Sequence, residues 1–585
     1  MNADTRSSAS GTLVLAAAGA APLAFGPFFY DSFVLPKLAL ASVLVALAAA
    51  FARREGRLRP TPLDAPLAAF FAAAALSAAL SWDPRPDWFG AHQSYAWCLL
   101  GWAPCFVLFR LAAAQEADFG RRVLSMLAAA AIPVGIYALL QAAGLDPLAG
   151  RLALPAGGRA VSTLGSPVAL GAFAAAALPA CLHLLRERES RSLGACASAL
   201  ALAALALSAS RAAWLGGAAG ALAYAAARGG LKRGAILALA AACLIAVGAL
   251  SLRRGPSDLQ RVEIWKAAGR MWTERPLIGS GPESFDRVFR RVRSEAYAAA
   301  TNGMATQEDA HDDWFQVLAG MGLIGLAAYA WLHRAVWKAA RLALAADESG
   351  VAAALAAGLA ALFVAAKLNA ATWIGIFTAA LMAGGLVTME PPHPNPPPQG
   401  RREKVAAAFT VAVALAAMLV AMWFAAADRF ERLGVRARAQ GRPRDSETWQ
   451  LAAVAMRPGE ARYRLNLANL WWDAAQDMKG DPREALLRLT VAQAQRGSDL
   501  RRLDPGMAHL AGLAKLRLIQ WTWRPGLPWP PPLLADARGD LARAEQLDPF
   551  FPPILEDSLR AARLAGDQSS AAGYEERLSR VMQKR

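Results

Sequence analysis

Apolar stretches of about twenty residues recur from the N-terminus to residue 426, separated by short polar turns, and then give way to a mixed polar pattern. About 20 apolar residues are needed to cross a bilayer core as a helix. That length places spans at 11–29, 32–52, 64–81, 94–113, 123–143, 166–185, 193–209, 211–228, 234–252, 314–333, 350–368, 370–388 and 405–426. The predicted fold class is therefore all-α: a polytopic membrane helix bundle of about 12–13 transmembrane helices. A long polar segment, 253–313, interrupts the series. Residues 389–404 form a proline-rich linker containing His393, and 427–585 form a soluble helical tail.

The basic residues fix a register for these spans. With the N-terminus in the cytoplasm, every even-numbered span is followed by a cluster such as Arg53/Arg54/Arg57/Arg59, Arg121/Arg122, Arg186/Arg188/Arg191 or Arg334/Lys338/Arg341. Shifting the count by one would put them all outside, against the positive-inside tendency. The 253–313 segment and the tail are then expected outside the cytoplasmic membrane, on its periplasmic face. Gly11–Phe29 is read as an uncleaved first helix.

Composition agrees with the pattern. The 585-residue chain is 56% hydrophobic and only 18% charged, and its net charge of +17 is carried largely by arginines in these turns, which argues against nucleic-acid binding. Cys98, Cys105, Cys181, Cys196 and Cys243 all lie in apolar stretches without metal-ligand spacing and are expected to be buried and unpaired.

The tail reads as helices broken by turn prolines at Pro458, Pro505 and Pro549, with Pro525–Pro532 interrupting. This resembles tetratricopeptide repeats at intervals well above the usual ~34 residues, and such an array suits a protein partner.

The candidate chemistry gathers in the outer loops. Arg261-x-x-x-Trp265 is followed by Arg275-Pro-Leu-Ile-Gly279-x-Gly281-x-x-x-Phe285, then by Ala310-His311-Asp312-Asp313-Trp314-Phe315-Gln316 running into an apolar helix. Ser208-Ala-Ser-Arg211 lies between spans seven and eight, and Arg159 precedes Ser166-Pro167. Arginine pairs with phosphate bidentately and keeps its charge, whereas histidine titrates near working pH. His311 is the sole histidine of the long loop; Asp312 and Asp313 either orient it or cap the helix that follows. Lys37, beside Asp31, is either a snorkelling lysine or part of a pathway. Trp82, Trp88 and His92 read as an interfacial aromatic group, and Arg287, Arg290 and Arg291 share one helix face suited to headgroups.

These ordered motifs resemble the O-antigen ligase and polymerase superfamily. The likeness spans roughly 11–388 as an arrangement, with specific motifs at 207–211, 261–285 and 310–325; Ser166-Pro167 departs from the usual Asn-Pro-Asn. It implies metal-independent, inverting transfer of a glycan from a polyprenyl-diphosphate carrier, without a cofactor, to a glycan, lipid or protein acceptor. By resemblance His311 matches the catalytic histidine and Arg261 the loop arginine, with Trp265 behind it. Arg211 matches the Arg of a Ser-Arg turn, and Arg159 an entry arginine. Polymerases and protein O-oligosaccharyltransferases share the pattern; a transporter or a scaffold for the tail are the non-enzyme alternatives.

Overall fold

The computed structural model describes residues 8–150, 152, 158–229, 257–389, 400–522 and 531–582. The span at 234–252, Cys243 and His393 lie outside them. Among the described residues there are 23 α-helices and no strand. The bundle is built from α1 (Ala9–Ala20), α2 (Val34–Arg54), α3 (Asp64–Ala79), the short α4 (Pro84–Phe89), α5 (Leu99–Ala112), α6 (Phe119–Ala142), α7 (Pro167–Arg186), α8 (Arg191–Leu207) and α9 (Arg211–Ala227). The long loop folds as α10 (Ser257–Glu274), α11 (Phe285–Val292) and α12 (Glu295–Ala300). Then come α13 (Asp313–Ala346), α14 (Val351–Ala365), α15 (Trp373–Val387) and α16 (Arg401–Ala439). The tail is α17 (Pro443–Met456), α18 (Ala461–Asp477), α19 (Asp481–Leu500), α20 (Pro505–Thr522), α21 (Pro531–Leu547), α22 (Pro552–Leu564) and α23 (Gln568–Met582).

Five of these helices, α2, α6, α7, α13 and α16, are long and apolar enough to cross a membrane, and six shorter apolar helices accompany them. Helix α7 sits at the centre, with 83% of its apolar window buried, whereas α16 lies at the edge with 28%. Small residues set the spacing between helices. A Cβ on Gly216 would come within 2.5 Å of the Ala361 carbonyl, and one on Gly358 within 2.8 Å of that of Ala176, so α9, α14 and α7 pack backbone to backbone.

Several expected boundaries move. The first helix ends at Ala20 rather than Phe29, because Pro22, Gly26 and Pro27 deny it further turns. Helix α13 does not stop near residue 333 but continues to Ala346, so His333 lies mid-helix and not at a helix end; no breaker intervenes before Asp347-Glu-Ser-Gly350. Cys98, Cys105 and Cys181 are buried as expected, but Cys196 is exposed. Helix α16 runs 39 residues without a break through the expected boundary at 427, about 58 Å at 1.5 Å per residue.

The two ends of the bundle differ in character. At one end the basic turns meet acidic neighbours: Arg57 with Glu116 at 3.0 Å, Arg121 with Glu187 at 3.1 Å, and Arg228 donating to the Glu348 carbonyl at 3.0 Å. At the other end the long loop and the tail cover the helices together. In the tail each helix packs on the next in sequence from α17 to α23.

The tail is fastened by buried polar contacts. The Asp83 carboxylate takes Arg287 of α11 at 3.2 Å and Arg501 of the tail at 3.0 Å. Arg293 pairs with Asp548 at 2.5 Å with both side chains almost fully enclosed, and Tyr463 donates to Asp428, which also accepts the Asp31 amide. The arginines expected to meet headgroups are therefore used inside the protein. Arg290 faces Asp286 and Asp548, and Arg291 pairs with Glu274 while lying 4.6 Å over the Trp82 ring. Trp82 is accordingly a cation platform, with Arg275 at 5.3 Å as well.

Candidate active site

The motif Arg275-Pro-Leu-Ile-Gly-Ser-Gly281 has a mechanical task. Helix α13 breaks at Gly322, whose φ of 63° and ψ of −162° are not helical. In a bilayer the freed main-chain groups need new partners, and residues 276–281 supply them. Leu323 and Ile324 donate to the carbonyls of Pro276 and Leu277 at 2.9 and 3.1 Å, while Ser280 and Gly281 donate to those of Ala319 and Gly320 at 3.0 and 2.8 Å. Ser77 of α3 adds a bond of 2.7 Å to the Gly320 carbonyl. Only glycine allows so close an approach: a Cβ on Gly279 would lie 2.3 Å from the Gly320 carbonyl carbon, and one on Gly322 2.4 Å from that of Leu277.

This splice holds the start of α13, and with it the turn that carries His311. Asp312 caps the helix, accepting from the amides of Trp314 and Phe315 at 2.8 and 3.0 Å. His311 itself has a positive φ of 53°, which turns it out of the helix line. Its Nδ1 lies 3.0 Å from Asp309 Oδ1, and its amide donates to the same oxygen at 2.7 Å. Desolvation in this crowded turn raises the Asp309 carboxyl, but the hydrogen bonds and charge of His311 outweigh it and hold it below its ordinary value. With Nδ1–H donated to Asp309, the lone pair stands on Nε2.

The orienting group is thus Asp309, which the sequence reading passed over in favour of Asp312 and Asp313. Its only sign in the sequence is an acid two residues before the histidine, which nothing sets apart from the acids around it. Asp313 is instead buried in the first turn of α13, accepting from Tyr329 Oη at 2.6 Å and pairing with Lys367 Nζ. Lys367 lies over the rings of Trp314 and Phe363 at 5.1 and 4.7 Å. A cation paired with a buried acid among apolar residues is the kind of group that marks a membrane site.

Trp265 supports the histidine from behind. Its Nε1 donates to the Ala310 carbonyl at 3.1 Å, and its ring stacks on Phe315 with centroids 5.6 Å apart. Arg261 lies one turn earlier on α10, half-buried. Glu263, two residues on, accepts from Lys266 and Ser294 at 2.7 and 2.6 Å.

Arg211 is the first residue of α9, where the Ser210 side chain caps the helix. Arg159 is brought to the same turn, its Nε donating to the Ser208 carbonyl at 2.9 Å. Lys37 belongs elsewhere. Its ammonium donates to the carbonyls of Ala24, Phe33 and Thr163 at 2.8, 2.9 and 2.6 Å. All three of its donors are thereby used in tying down the backbone around the start of α2.

Between the two turns lies an apolar cavity of about 240 Å³. Ser210 and Asp313 both line it, so the Arg211 and His311 turns border one space; Phe71, Trp102, Phe106, Trp337, Leu362 and Phe363 form much of its wall. Residues 196–330 match the family model described as O-antigen ligase. No curated protein matches the chain. The O-antigen ligase segment takes in α9 with Arg211, α10 with Arg261 and Trp265, the His311 turn and the break in α13, and leaves out Lys37 and Arg159. The match supports a membrane glycosyltransferase-like enzyme of O-antigen ligase or related polymerase type, and with the apolar helices a multi-pass membrane protein.

Proposed function

We propose that the protein transfers a polyprenyl-diphosphate-linked glycan to an acceptor at the outer face of the cytoplasmic membrane, in the manner of an O-antigen ligase. The observation that carries this reading is the apolar cavity bordered at once by the arginine turn of α9 and the histidine turn of α13. A long isoprenoid suits its aromatic and aliphatic wall. The diphosphate suits Arg211 and Arg261, with Arg159 behind, because guanidinium groups stabilise charge that grows on a leaving phosphate.

In the proposed reaction the acceptor hydroxyl oxygen attacks the anomeric carbon from the face opposite the diphosphate. A new C–O bond forms as the bond to the diphosphate oxygen breaks, and its electron pair leaves with the diphosphate. The hydroxyl proton passes to His311 Nε2, the imidazolium being stabilised by Asp309. One displacement of this kind inverts the anomeric centre and calls on no metal. A polymerase or protein O-oligosaccharyltransferase uses the same step with another acceptor.

The test is turnover of a lipid-linked glycan by the purified protein with candidate acceptors. Arg211→Lys and Arg261→Lys keep the charge but lose the planar fork, and each is expected to lower turnover about tenfold or more, an arginine-to-phosphate contact being strong and directional. Full activity in both variants refutes the diphosphate clamp; no transfer to any acceptor refutes the enzyme.

Sidedness is checked separately in a cysteine-free background. Single cysteines at Asn302 and Ser579, both exposed on the loop and tail, are expected to react with an impermeant thiol reagent added outside the membrane, and one at the exposed Ser349 is not. Labelling of Ser349 alone would invert the proposed topology.

A further inference from the structure

A second cavity, of about 480 Å³, opens where α16 leaves the bundle for the tail. One side is apolar: Leu419, Val420, Trp423 and Phe424 of α16 with Phe89 of α4. Leu419 and Trp423 are 65% and 54% exposed, on the helix that is least enclosed by the bundle. Trp423 Nε1 donates to the Met456 carbonyl at 2.7 Å, fixing the indole at the junction between span and tail, a common station for tryptophan at a membrane surface.

The other side is cationic, formed by Arg85, Arg457 and Arg501. Arg457 lies 3.8 Å over the Phe424 ring and pairs with Glu460 at 3.2 Å; Arg501 uses Asp83, which Arg287 shares. Arg457, Arg501 and Arg287 thus each have a carboxylate beside them, with Asp504 adding to the field at Arg501 and Asp87 and Glu283 to that at Arg287. Arg85 is exposed and makes no ion pair with any described residue. Its guanidinium passes directly over Gly459, where a Cβ would come within 2.2 Å of Nη1.

We propose that this cavity binds an anionic phospholipid of the surrounding bilayer, its phosphate at Arg85 and an acyl chain along the Leu419–Trp423 face of α16. An apolar groove on a lipid-facing helix that ends at an exposed arginine with no ion pair to any described residue matches an amphiphile with a phosphate head, since guanidinium binds phosphate bidentately. The site is separate from the proposed transfer chemistry and stands without it.

The test uses the full-length protein in neutral detergent with phosphatidylglycerol carrying a diazirine in one acyl chain, followed by peptide mapping. Crosslinks are expected in 85–90 and 419–424, competed by unlabelled phosphatidylglycerol but not by phosphatidylcholine or glycerol phosphate. Arg85→Glu should lower this labelling about tenfold, loss of a charge-assisted phosphate contact being a large effect, and Arg85→Lys should lower it less. Trp423→Ala should weaken it independently from the apolar side, and the melting temperature of each variant reports its folding. Equal labelling of folded Arg85→Glu, equal labelling by a phosphatidylcholine probe, competition by glycerol phosphate alone, or crosslinks elsewhere would each overturn the proposal.

Discussion

Replacing His311 by alanine is expected to lower turnover by about 10²–10⁴-fold, the usual worth of general-base assistance, while the lipid-linked donor still binds. The separation follows from the placement of the groups. His311 is held by Asp309 and by the turn that Trp265 supports, whereas the arginines assigned to the diphosphate stand on α9 and α10. His311→Gln keeps hydrogen-bonding capacity but cannot accept a proton, and should be nearly as impaired. Asp309→Asn should retain binding yet lose part of the rate, because the imidazolium formed during transfer then lacks its carboxylate. Donor binding and single-turnover rates on purified protein decide the matter. A His311→Ala enzyme of normal rate, or one that fails only in binding donor, would require the base to be sought elsewhere.

The second large effect is expected on stability. Gly279→Ala places a Cβ 2.3 Å from the backbone at Gly320 and forces a side chain onto a residue with φ of 68°. The left-handed backbone costs roughly 1–2 kcal/mol for a non-glycine residue, and overpacking a rigid contact adds about 1–3 kcal/mol. Main chain cannot yield as a side-chain tip does, so the splice should open and release the four hydrogen bonds it makes across the break in α13. The expected result is a melting temperature well below that of the unmodified protein, or aggregation on purification in detergent. Gly269→Ala is the matched control: nothing lies within 4 Å of its Cβ, and alanine favours a helix. If Gly279→Ala melts with Gly269→Ala, residues 276–281 do not hold the broken helix together.

What could be read from the sequence divides along physical lines. Hydrophobic runs and positive clusters report local partition into lipid, and the helices within the described residues follow them, with ends displaced where Pro22 stops α1 early or where nothing stops α13 at residue 333. The His311 turn and the two arginine positions were visible as polar residues at span ends. Their partners were not. Asp309 looked no different from its acidic neighbours, and the roles of Asp312 as cap and Asp313 as the partner of Lys367 depend on where α13 begins and on a residue just past α14 that is distant in sequence but adjacent in space. Likewise the glycines of 279–281 and 320–325 are evident in the sequence, but that they face one another across a helix break is a tertiary fact. The same limit explains Arg287, Arg290 and Arg291, whose spacing suggests a lipid-facing stripe until their partners Asp83, Asp548 and Glu274 are seen.

That covering bears on how such a chain can be divided or recombined. Asp83 and Arg293 each rely on a residue beyond 427, namely Arg501 and Asp548, and the Asp31 amide donates to Asp428; a buried ion that loses its partner is costly. The tail is therefore no detachable cap, and a chimera carrying a foreign tail would inherit orphaned charges on the roof of the bundle unless both members of each pair travelled together. Lineages that acquired this tail would be expected to have changed residues 83 and 293 in step with it.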